Sequence, residues 1–443
     1  MTNEIVRRLL LLMVVGTGQA FCSSVGAVPL NGSLDVHDPS RIIKQGNRYY
    51  TFATGGSSSS PINMKYSDNF TTWNAGPGSA IFSSIPAWAY AEVTDAGAVG
   101  QPGNMWAPDV IYFNNEYRLY YSVSTFGSRN SVIGLATNTT LDFNDPNYAW
   151  VDKQMVIESE VNPFSTYPWN AIDPAIFYDD STSRMWMAYG SYSNGLYVTE
   201  LDPATGKRIT PNSPTTLVAR RSSGVHGAVE ASYLLKHDDY YYLFVAWDGC
   251  CVGVNSTYNI RVGRGTSPTG PFLDKAGVSM FVGGGTLFQG TEGSVIGPGH
   301  FSSFSENGHD YYSYHYYDGT NGGIARLGIE EFLWTQDGWP VRAADFPQGD
   351  YNLNGVVDAA DYTIWRDTLG STTDLRANGN NIRNSIGVID MADYELWRFN
   401  YGRTSGAGAA SGLGSAEAIA EPATFLLAAI AASTLVVRRR TSS

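Results

Sequence analysis

Residues 35–52 read DVHDPSRIIKQGNRYYTF, and this pattern returns in altered form four more times along the chain. In each copy a polar residue lies about a dozen positions ahead of an aromatic, strand-like segment, and a polar turn separates the two. Short strand signals at a regular spacing, without helical periods between them, are typical of repeated β-sheet units. The five polar residues lie 57 to 71 positions apart and are Asp38, Asp109, Asp173, Glu230 and His300.

Five units of this length predict an all-β fold, a five-bladed β-propeller over residues 28–346. The innermost strand of each blade would begin at the propeller axis, so the five polar residues are expected to meet at one mouth. A 13% share of aromatic residues agrees with many half-buried strand positions. A β-sandwich with long loops is the alternative fold.

The chain has 443 residues and a formal net charge of −13 at pH 7. This length allows one large domain with additional segments. Nucleic acid is an unfavourable partner for so acidic a chain, because both surfaces would be negative. A neutral ligand is compatible with this charge.

Residues 1–27 have the layout of a secretory signal peptide. Arg7 and Arg8 precede a short apolar core, and small residues lead to a predicted cleavage site after Ala27. An ordinary buried helix is the alternative, but the position at the N-terminus and the basic flank favour export.

Residues 421–443 contain a second apolar run, which three arginines follow directly. The run is short for a membrane span. Because Glu421, Pro422 and Ala423 stand before it, this segment resembles the PEP-CTERM sorting signal of Gram-negative bacteria. That resemblance implies a tail that is processed transiently at a membrane. Both ends therefore predict a secreted or cell-surface protein, and residues 404–420 between the folded part and the tail predict a flexible linker.

The chain has 3 cysteines, and Cys22 lies within the predicted signal peptide. Cys250 and Cys251 are neighbours, so they can close only a small ring and do not form a disulfide framework. A disulfide between them and two buried free thiols are both compatible with the sequence.

A second repeat follows the propeller, in residues 347–403. VDAADYTIWRDTLG (357–370) and IDMADYELWRFNYG (389–402) match at an offset of 32 residues, and each predicts a loop that leads into an amphipathic helix. The first loop has the spacing of a calcium-binding loop, with Gly355 at its sharp turn. The predicted oxygen ligands are Asp350, Asn352, Asn354, the Val356 carbonyl, Asp358 and Asp361.

Duplicated loops of this kind, each with one helix, resemble a type I dockerin. The resemblance implies a small α-helical calcium-loop domain that binds a cohesin-like partner. The second copy lacks clean ligands at its first positions, so calcium is expected at the first loop only. A solvated turn rich in Asp and Asn is the alternative.

Four of the five blade-opening residues carry carboxyl groups, and three of these are candidates for catalysis. Hydrolysis of a glycosidic bond needs two carboxyl groups across the bond, one protonated and one ionised. A third carboxylate nearby can raise the pKa of the acid by like-charge repulsion. Any one of them alone is more simply a turn residue, whereas three in a repeated position point to catalysis. They are Asp38, Asp173 and Glu230.

Several separated segments, among them VHDPS, WAPDV, WNAIDPAIFYDD, AYGSYSNG and CCVGVNSTYNIRVGR, resemble the family 43 glycoside hydrolases. Within that family they are most similar to the endo-acting arabinanases, which cut α-1,5-linked L-arabinan. The resemblance implies an inverting mechanism, in which Asp38 is the general base and Glu230 the general acid. Asp173 would tune and orient the acid.

The same resemblance implies contacts with the sugar and a metal ion. His300 would bind a hydrated calcium ion near the axis, with a hydrogen-bonded core histidine as the alternative, and no organic cofactor is expected. The expected sugar contacts are Asp38, Trp106, Gly127, Asn170, Ala171, Ile172, Asp173, Gly190, Ser191 and Tyr192.

Two other functions remain compatible with these residues. An exo-acting α-L-arabinofuranosidase or a β-xylosidase could use the same propeller, because loop shape decides between a groove and a pocket. A non-catalytic carbohydrate-binding propeller is the third reading, but it would be expected to lack one of the three carboxylates.

Overall fold

The computed structural model describes residues 27–57, 60–78, 80–95, 101–159, 167–192, 194–221, 228–379 and 387–405. Except for Ala27, the predicted signal peptide lies outside these residues, and so do the tail and nearly all of the predicted linker. Among the helices in these ranges, none combines the length and the apolar character that a membrane crossing requires.

Five sheets follow one another along the chain, and neighbouring strands within each sheet run antiparallel, apart from one parallel pair at the start. The first two sheets comprise β1 (Asn31–Gly32), β2 (Ile43–Gln45), β3 (Arg48–Ser57), β4 (Ser60–Ser67) and β5 (Thr72–Ala75), then β6 (Trp106–Phe113), β7 (Glu116–Ser124), β8 (Ser131–Asn138) and β9 (Val151–Ser159). The third comprises β10 (Ala175–Asp179), β11 (Arg184–Tyr189), β12 (Leu196–Asp202), β13 (Lys207–Arg208) and β14 (Thr215–Ala219). The last two comprise β15 (Val229–His237), β16 (Tyr240–Trp247), β17 (Asn259–Gly265) and β18 (Thr286–Gln289), then β19 (Val295–Glu306), β20 (His309–Asp318), β21 (Ile324–Trp334) and β22 (Pro340–Arg342).

The segment before the first blade closes the ring of sheets. Asn31 in β1 pairs with Thr72 in the first blade. On its other side the Leu327 amide of the fifth blade donates to the Leu34 carbonyl at 2.8 Å. The segment therefore bonds to both the first and the last blade, and the predicted all-β five-bladed propeller is confirmed.

Apolar side chains fill the spaces between neighbouring blades. Phe52 of the first blade packs in one cluster with Tyr121 of the second, and Phe244 of the fourth packs with Phe301 of the fifth. Burial of such large aromatic side chains stabilises the contact between blades. Many of the aromatic residues in the sequence thus lie between the blades.

Each blade opens with a bulged segment, which lies at the start of the innermost strand in the second, fourth and fifth blades and just ahead of that strand in the first and third. In the second blade Trp106 pairs with Ser122 and Asp109 with Tyr120, so two residues on one strand face one on the other. The first bulged residue of every blade has a left-handed backbone, with φ between 43° and 61°. A bulge bends the strand and re-aims the side chain at that position, and such bulges are common beside active sites. The five residues are Asp38, Ala107, Asp173, Ala231 and His300.

These bulges correct the predicted alignment of the repeats. Asp38, Asp173 and His300 occupy the bulge, as the sequence pattern implies. Glu230 lies one residue before its bulge, and Asp109 lies two residues after. Because each residue advances a strand by about 3.3 Å, such shifts decide how far a carboxylate lies from the mouth.

In the part of the chain that the structure describes, two short α-helices follow the propeller, α2 (Ala359–Thr368) and α3 (Met391–Asn400). An earlier helix, α1 (Ala87–Asp95), lies between the first two blades. The two later helices are related by reciprocal contacts. The Trp365 indole donates to the Asp390 carbonyl at 2.8 Å, and the Trp397 indole donates to the Asp358 carbonyl at 2.8 Å. The predicted loop–helix duplication is present, and its identity as a dockerin stays a prediction.

Candidate active site

Asp38 lies in a pocket of polar side chains at the propeller axis. Its Oδ2 accepts a hydrogen bond from Thr54 Oγ1 at 2.6 Å and lies 2.8 Å from His37 Nδ1. Its Oδ1 lies 3.4 Å from His300 Nδ1 and 3.5 Å from His315 Nδ1. Thr54 and His37 therefore stabilise a negative charge on Oδ2, while Oδ1 lies near two further imidazoles.

The charge state of Asp38 follows from these neighbours. Burial would raise its pKa, but the adjacent His37, with help from His300 and His315, lowers that pKa well below its ordinary value. Burial would likewise lower the pKa of His37, and Asp38 raises it above its ordinary value. Asp38 is thus held ionised, which is the state that a general base requires.

Glu230 has the opposite electrostatic environment, although its carboxylate also accepts two hydrogen bonds. Ser191 Oγ donates to Oε2 at 2.6 Å, and Tyr258 Oη donates to Oε1 at 2.6 Å. Burial raises the pKa of Glu230, the two donors lower it in part, and the charge of Asp38 raises it further. The net shift is upward, so Glu230 retains its proton to higher pH than an exposed glutamate.

Asp173 lies beside Glu230. Its Oδ2 accepts a hydrogen bond from the Ala231 amide at 3.2 Å. Burial raises the pKa of Asp173 well above its ordinary value, and the charges of Glu230 and then Asp38 raise it further. The structure therefore brings the three predicted carboxylates together, with one held ionised and two favouring their protonated forms. Carboxyl groups whose environments separate their pKa values are the arrangement expected of an acid and base pair.

Asn170, Ala171 and Ile172 lead into the bulge of the third blade and are buried. Ser131 Oγ donates to Asn170 Oδ1 at 2.6 Å, which fixes that amide. Gly190 has φ 122°, and its amide donates to the Ile172 carbonyl at 2.9 Å. A side chain on Gly190 would lie 2.8 Å from the Gly195 carbonyl oxygen, so this close approach favours glycine.

Ser191 and Tyr192 follow Gly190 at the mouth. The Ser191 hydroxyl donates to Glu230, so in this structure it orients the acid. Tyr192 is 38% exposed, and its side chain is accessible from the mouth. Of these two predicted sugar contacts, Ser191 therefore supports a catalytic carboxyl, whereas Tyr192 faces solvent.

Trp106 and Gly127 belong to the second blade. Trp106 directly precedes the bulge residue Ala107 and is half-buried, and its indole donates to Asn104 Oδ1 at 2.8 Å. Gly127 lies in the loop between β7 and β8, at the same end of the blade, with φ 80°. Apart from the two chain neighbours, none of the residues that the structure describes has an atom within 4 Å of a Cβ placed on Gly127.

Asp109 does not reach the mouth, and its expected convergence with the other four residues is wrong. Arg41 Nε donates to its Oδ1 at 2.9 Å, and the Ile176 amide donates to its Oδ2 at 2.7 Å. Asp109 thus ties three blades together below the catalytic carboxyls. Its place two residues past the bulge explains this outcome.

Asp109→Asn is expected to lower the free energy of unfolding by about 3 kcal/mol, because it leaves Arg41 without its buried counter-charge. Denaturant unfolding measures this loss. The matched control is Asp68→Asn, which breaks the exposed ion pair with Arg48 and should cost about 1 kcal/mol or less. Equal effects of the two substitutions would contradict the assigned role of Asp109.

The side chains of the site that were missed in the sequence include Thr54, His315, Tyr258 and Tyr317. His315 lies on β20, and its Nδ1 accepts from the Asp38 amide at 3.1 Å. Tyr258 holds Glu230, and Tyr317 Oη lies 2.9 Å from His37 Nε2. A usable signal exists for His315, because it takes the place in its blade that Thr54 and Ser122 take in theirs; Thr54 Oγ1 accepts from the Ala107 amide and Ser122 Oγ from the Asp173 amide.

The surroundings of His300 can be tested against the predicted calcium ion. Calcium prefers six to eight oxygen ligands. Asp38 supplies one carboxylate near His300, and the other close polar groups around Asp38 include the imidazoles of His37 and His315. This nitrogen-rich set fits calcium poorly unless water supplies most ligands.

The model of glycosyl hydrolases family 43 matches residues 32–340. The extracellular endo-alpha-(1->5)-L-arabinanase 1 of Bacillus subtilis (strain 168) is 38% identical over 305 residues, or 69% of this chain and 87% of the relative. The extracellular exo-alpha-(1->5)-L-arabinofuranosidase ArbA of Cellvibrio japonicus (strain Ueda107) is 35% identical over 319 residues, or 69% and 86%. The solved GH43 endo-arabinanase from Bacillus licheniformis is 38% identical, covers 70% of this chain and 99% of its own, and has a TM-score of 0.62.

Proposed function

The chain belongs to family 43 of the glycosyl hydrolases, and from that premise we propose that it hydrolyses internal α-1,5-L-arabinofuranosidic bonds of arabinan, a neutral polysaccharide. The observation that carries the proposal is the unequal environment of the carboxyls: Asp38 is held ionised, while burial favours the protonated form of Glu230. An inverting glycosidase needs one base and one acid of this kind.

In the proposed reaction Glu230 donates its proton to the oxygen that leaves with one half of the chain. Asp38 takes a proton from a water molecule, and the oxygen of that water forms a bond to the anomeric carbon as the glycosidic bond breaks. The product sugar therefore has inverted configuration. Asp173 acts through Glu230: it accepts a hydrogen bond from the amide of Ala231, the residue next to Glu230, and so helps to position the acid.

Endo action is supported by the Bacillus relative, whose name gives that activity. The Cellvibrio relative, whose name gives exo action, supports a second candidate, an exo-acting α-L-arabinofuranosidase. Both candidates share the three carboxyls and differ in how far the substrate extends from the mouth.

Linear arabinan is expected to lose viscosity early, when few reducing ends have formed, because an internal cut shortens the polymer most. Viscometry and a reducing-sugar assay on the same samples measure this ratio. Arabinan with blocked non-reducing ends is the matched control, since an exo enzyme cannot start on it. Release of arabinose alone, with slow loss of viscosity, would establish exo action instead.

We also propose that the protein is exported. The predicted signal peptide and the names of the two relatives, both of which include the word extracellular, support this proposal. The sorting tail and its membrane processing rest on sequence resemblance. A comparison of the mature chain's mass with that of the full sequence tests both ends.

The first loop after the propeller is proposed to bind calcium. Asp350 accepts from the Gly355 amide at 2.7 Å, and Asp361 accepts from the Asn352 amide at 3.0 Å, so the loop is already folded around these oxygens. Burial raises the pKa of Asp350 and of Asp361, and a bound cation would offset the cost of ionising them. In the second loop the Gly379 amide makes the contact to Asp393 that Asn352 makes to Asp361. Because glycine has no side chain, Gly379 cannot supply the side-chain oxygen that Asn352 offers to calcium in the first loop.

Calorimetric titration of the full protein is expected to show one calcium site in this region, lost in Asp361→Asn and retained in Asp393→Asn. The two substitutions are matched, because each aspartate is the third residue of its helix and accepts from the backbone amide of the N-cap residue. Loss of binding in both variants, or in neither, would contradict a site confined to the first loop. Calcium-dependent capture on a cohesin would then test the proposed partner.

Calcium at His300 is kept as a separate proposal, with water as its main ligand. This site shares no residue with the calcium loop, so the two sites can be tested separately. Asp361→Asn removes the calcium of the first loop, so any calcium that this variant retains is assigned to His300. Adding His300→Ala to this variant is expected to remove that remaining calcium, as measured by atomic absorption after dialysis.

A further inference from the structure

Cys250 and Cys251 are joined by a disulfide bond, which settles the alternative that the sequence left open. They lie in the loop between β16 and β17. Trp247, which ends β16, pairs with Val229, the residue before Glu230, so this loop lies at the mouth of the propeller. Cys251 is exposed and Cys250 is half-buried, so a soluble reductant can reach the bond.

Cys251 connects this loop to the proposed base. Its amide donates to Tyr317 Oη at 2.7 Å, and Tyr317 Oη lies 2.9 Å from His37 Nε2. His37 Nδ1 in turn lies 2.8 Å from Asp38 Oδ2. The Cys251 sulfur itself lies 3.8 Å from His37 Nε2. A continuous set of contacts therefore runs from the disulfide to the Asp38 carboxylate.

Cys250 connects the same loop to the proposed acid. Its side chain packs against the small buried cluster of Ala231, Ala246 and Tyr258. Tyr258 donates to Glu230 Oε1 at 2.6 Å, and Ala231 donates its amide to Asp173. The two halves of one disulfide thus contact groups that orient the carboxyls on opposite sides of the reaction.

The backbone at this point needs a restraint. Cys251 has φ 69°, a left-handed backbone conformation that residues other than glycine rarely adopt. The ring closed by two adjacent cysteines restricts the peptide between them. When the disulfide is reduced, Cys251 can turn its amide away from Tyr317. The loop is then held by hydrogen bonds such as that from the Thr257 amide to the Gly249 carbonyl.

We propose that the Cys250–Cys251 disulfide is a positioning element of the active site, which holds Tyr317 and Tyr258 where they orient Asp38 and Glu230. The proposal rests on the arabinan-cleaving function proposed above. A dithiol opens the bond by thiol–disulfide exchange: its two thiols become a disulfide, and their two electrons and two protons convert Cys250 and Cys251 to thiols. Reduction should therefore lower turnover without removing the substrate site.

The test compares oxidised and dithiol-reduced protein, both with Cys22→Ser so that Cys250 and Cys251 are the remaining cysteines. We expect reduction to lower kcat on linear arabinan by about ten- to a hundredfold, because small displacements of catalytic groups have effects of that size. The KM should change by less than about threefold, since the substrate contacts remain. Removal of the dithiol and reoxidation should restore kcat.

Two variants separate positioning from stability. Cys250→Ser with Cys251→Ser should have the low kcat of the reduced enzyme and no response to dithiol. Tyr317→Phe should also have a low kcat and should respond less to dithiol than the parent, because the same contact is already broken. If the double variant does not fold, the Tyr317→Phe comparison carries the test by itself.

Full kcat in protein whose two thiols are both titrated would overturn the proposal. A fall in kcat that occurs only together with loss of the near-ultraviolet circular dichroism signal would also overturn it, because the bond would then only stabilise the fold. An oxidised enzyme that does not cleave arabinan at all would instead refute the proposed function, so the two failures are distinct.

Discussion

Glu230→Gln is expected to lower kcat on linear arabinan by about 10²–10⁴-fold, the range that general acid catalysis contributes. Glutamine keeps the size of the side chain and can still contact Ser191 and Tyr258, but it has no proton to give to the leaving oxygen. Steady-state kinetics with purified protein measure the change. The KM should move much less than kcat, because the interaction that is lost is made in the transition state.

An aryl α-L-arabinofuranoside with a strongly acidic phenol provides the internal control for this variant. Such a leaving group needs little protonation, so Glu230→Gln should lose less activity on it than on arabinan. Equal losses on both substrates would argue that Glu230 acts in binding or folding. Activity within tenfold of the parent on arabinan would contradict its role as the acid.

The same substitution has a predictable effect on stability. The folded-state pKa of Glu230 is raised above its ordinary value, so the stability that its protonation contributes is present at low pH and is lost as the pH rises through the folded-state pKa. Glutamine does not titrate. The variant should therefore gain stability relative to the parent as the pH rises from acidic to neutral, as denaturant midpoints across that range would show.

Asp38→Asn is expected to lower kcat by a comparable factor, about 10²–10⁴-fold. Asparagine retains the size of the side chain and can keep the contact with Thr54, but it cannot take a proton from water. It also removes the partner of His37, whose pKa should then fall. Kinetics on linear arabinan and titration of the His37 ring by NMR measure the two effects.

Azide separates loss of the base from loss of the fold in the Asp38 variant. Azide is a nucleophile that needs no base, so Asp38→Gly with azide should form an arabinosyl azide of inverted configuration. Thr51→Val, at a buried position of the same blade, is the matched structural control and should give no such product. An Asp38→Asn variant that keeps near-normal activity without azide would refute its role.

Low pH should remove a different part of the parent's stability. The folded-state pKa of Asp38 is lowered, so its contribution is present above the ordinary aspartate pKa of 3.8 and is lost as the pH falls below it. Glu230 changes stability in the opposite direction. The two carboxyls thus have opposite effects at the two ends of the pH range.

Much of the architecture could be predicted from residues near one another in the sequence. Asp38, Asp173 and His300 each precede an aromatic strand at similar spacing, and the structure places each in the same bulge. Local sequence determines this arrangement because a strand, a two-residue turn and the next strand are consecutive. Only the grouping of such units into one closed ring requires tertiary structure.

The position of individual side chains could not be predicted in the same way. Asp109 and Glu230 looked equivalent to Asp38 by spacing, yet a bulge shifted by one or two residues leaves Glu230 at the mouth and sends Asp109 to Arg41. A shift of two residues moves a side chain about 6.6 Å along the strand, which takes Asp109 past the mouth. The spacing of the repeats is uncertain by one or two residues, so it cannot predict which carboxylates lie at the mouth.

The sequence by itself determined five repeated strand units, three candidate catalytic carboxyls and a duplicated loop and helix, because each is written in short segments with a regular period. Only the tertiary structure decided which groups set the charges of those carboxyls. Asp38 and His315 are 277 residues apart in the chain, and the Cys251 amide reaches Tyr317 across 66 residues. Closure of the propeller brings the starts of five strands to one axis, so contacts between blades, rather than contacts along the chain, define the site.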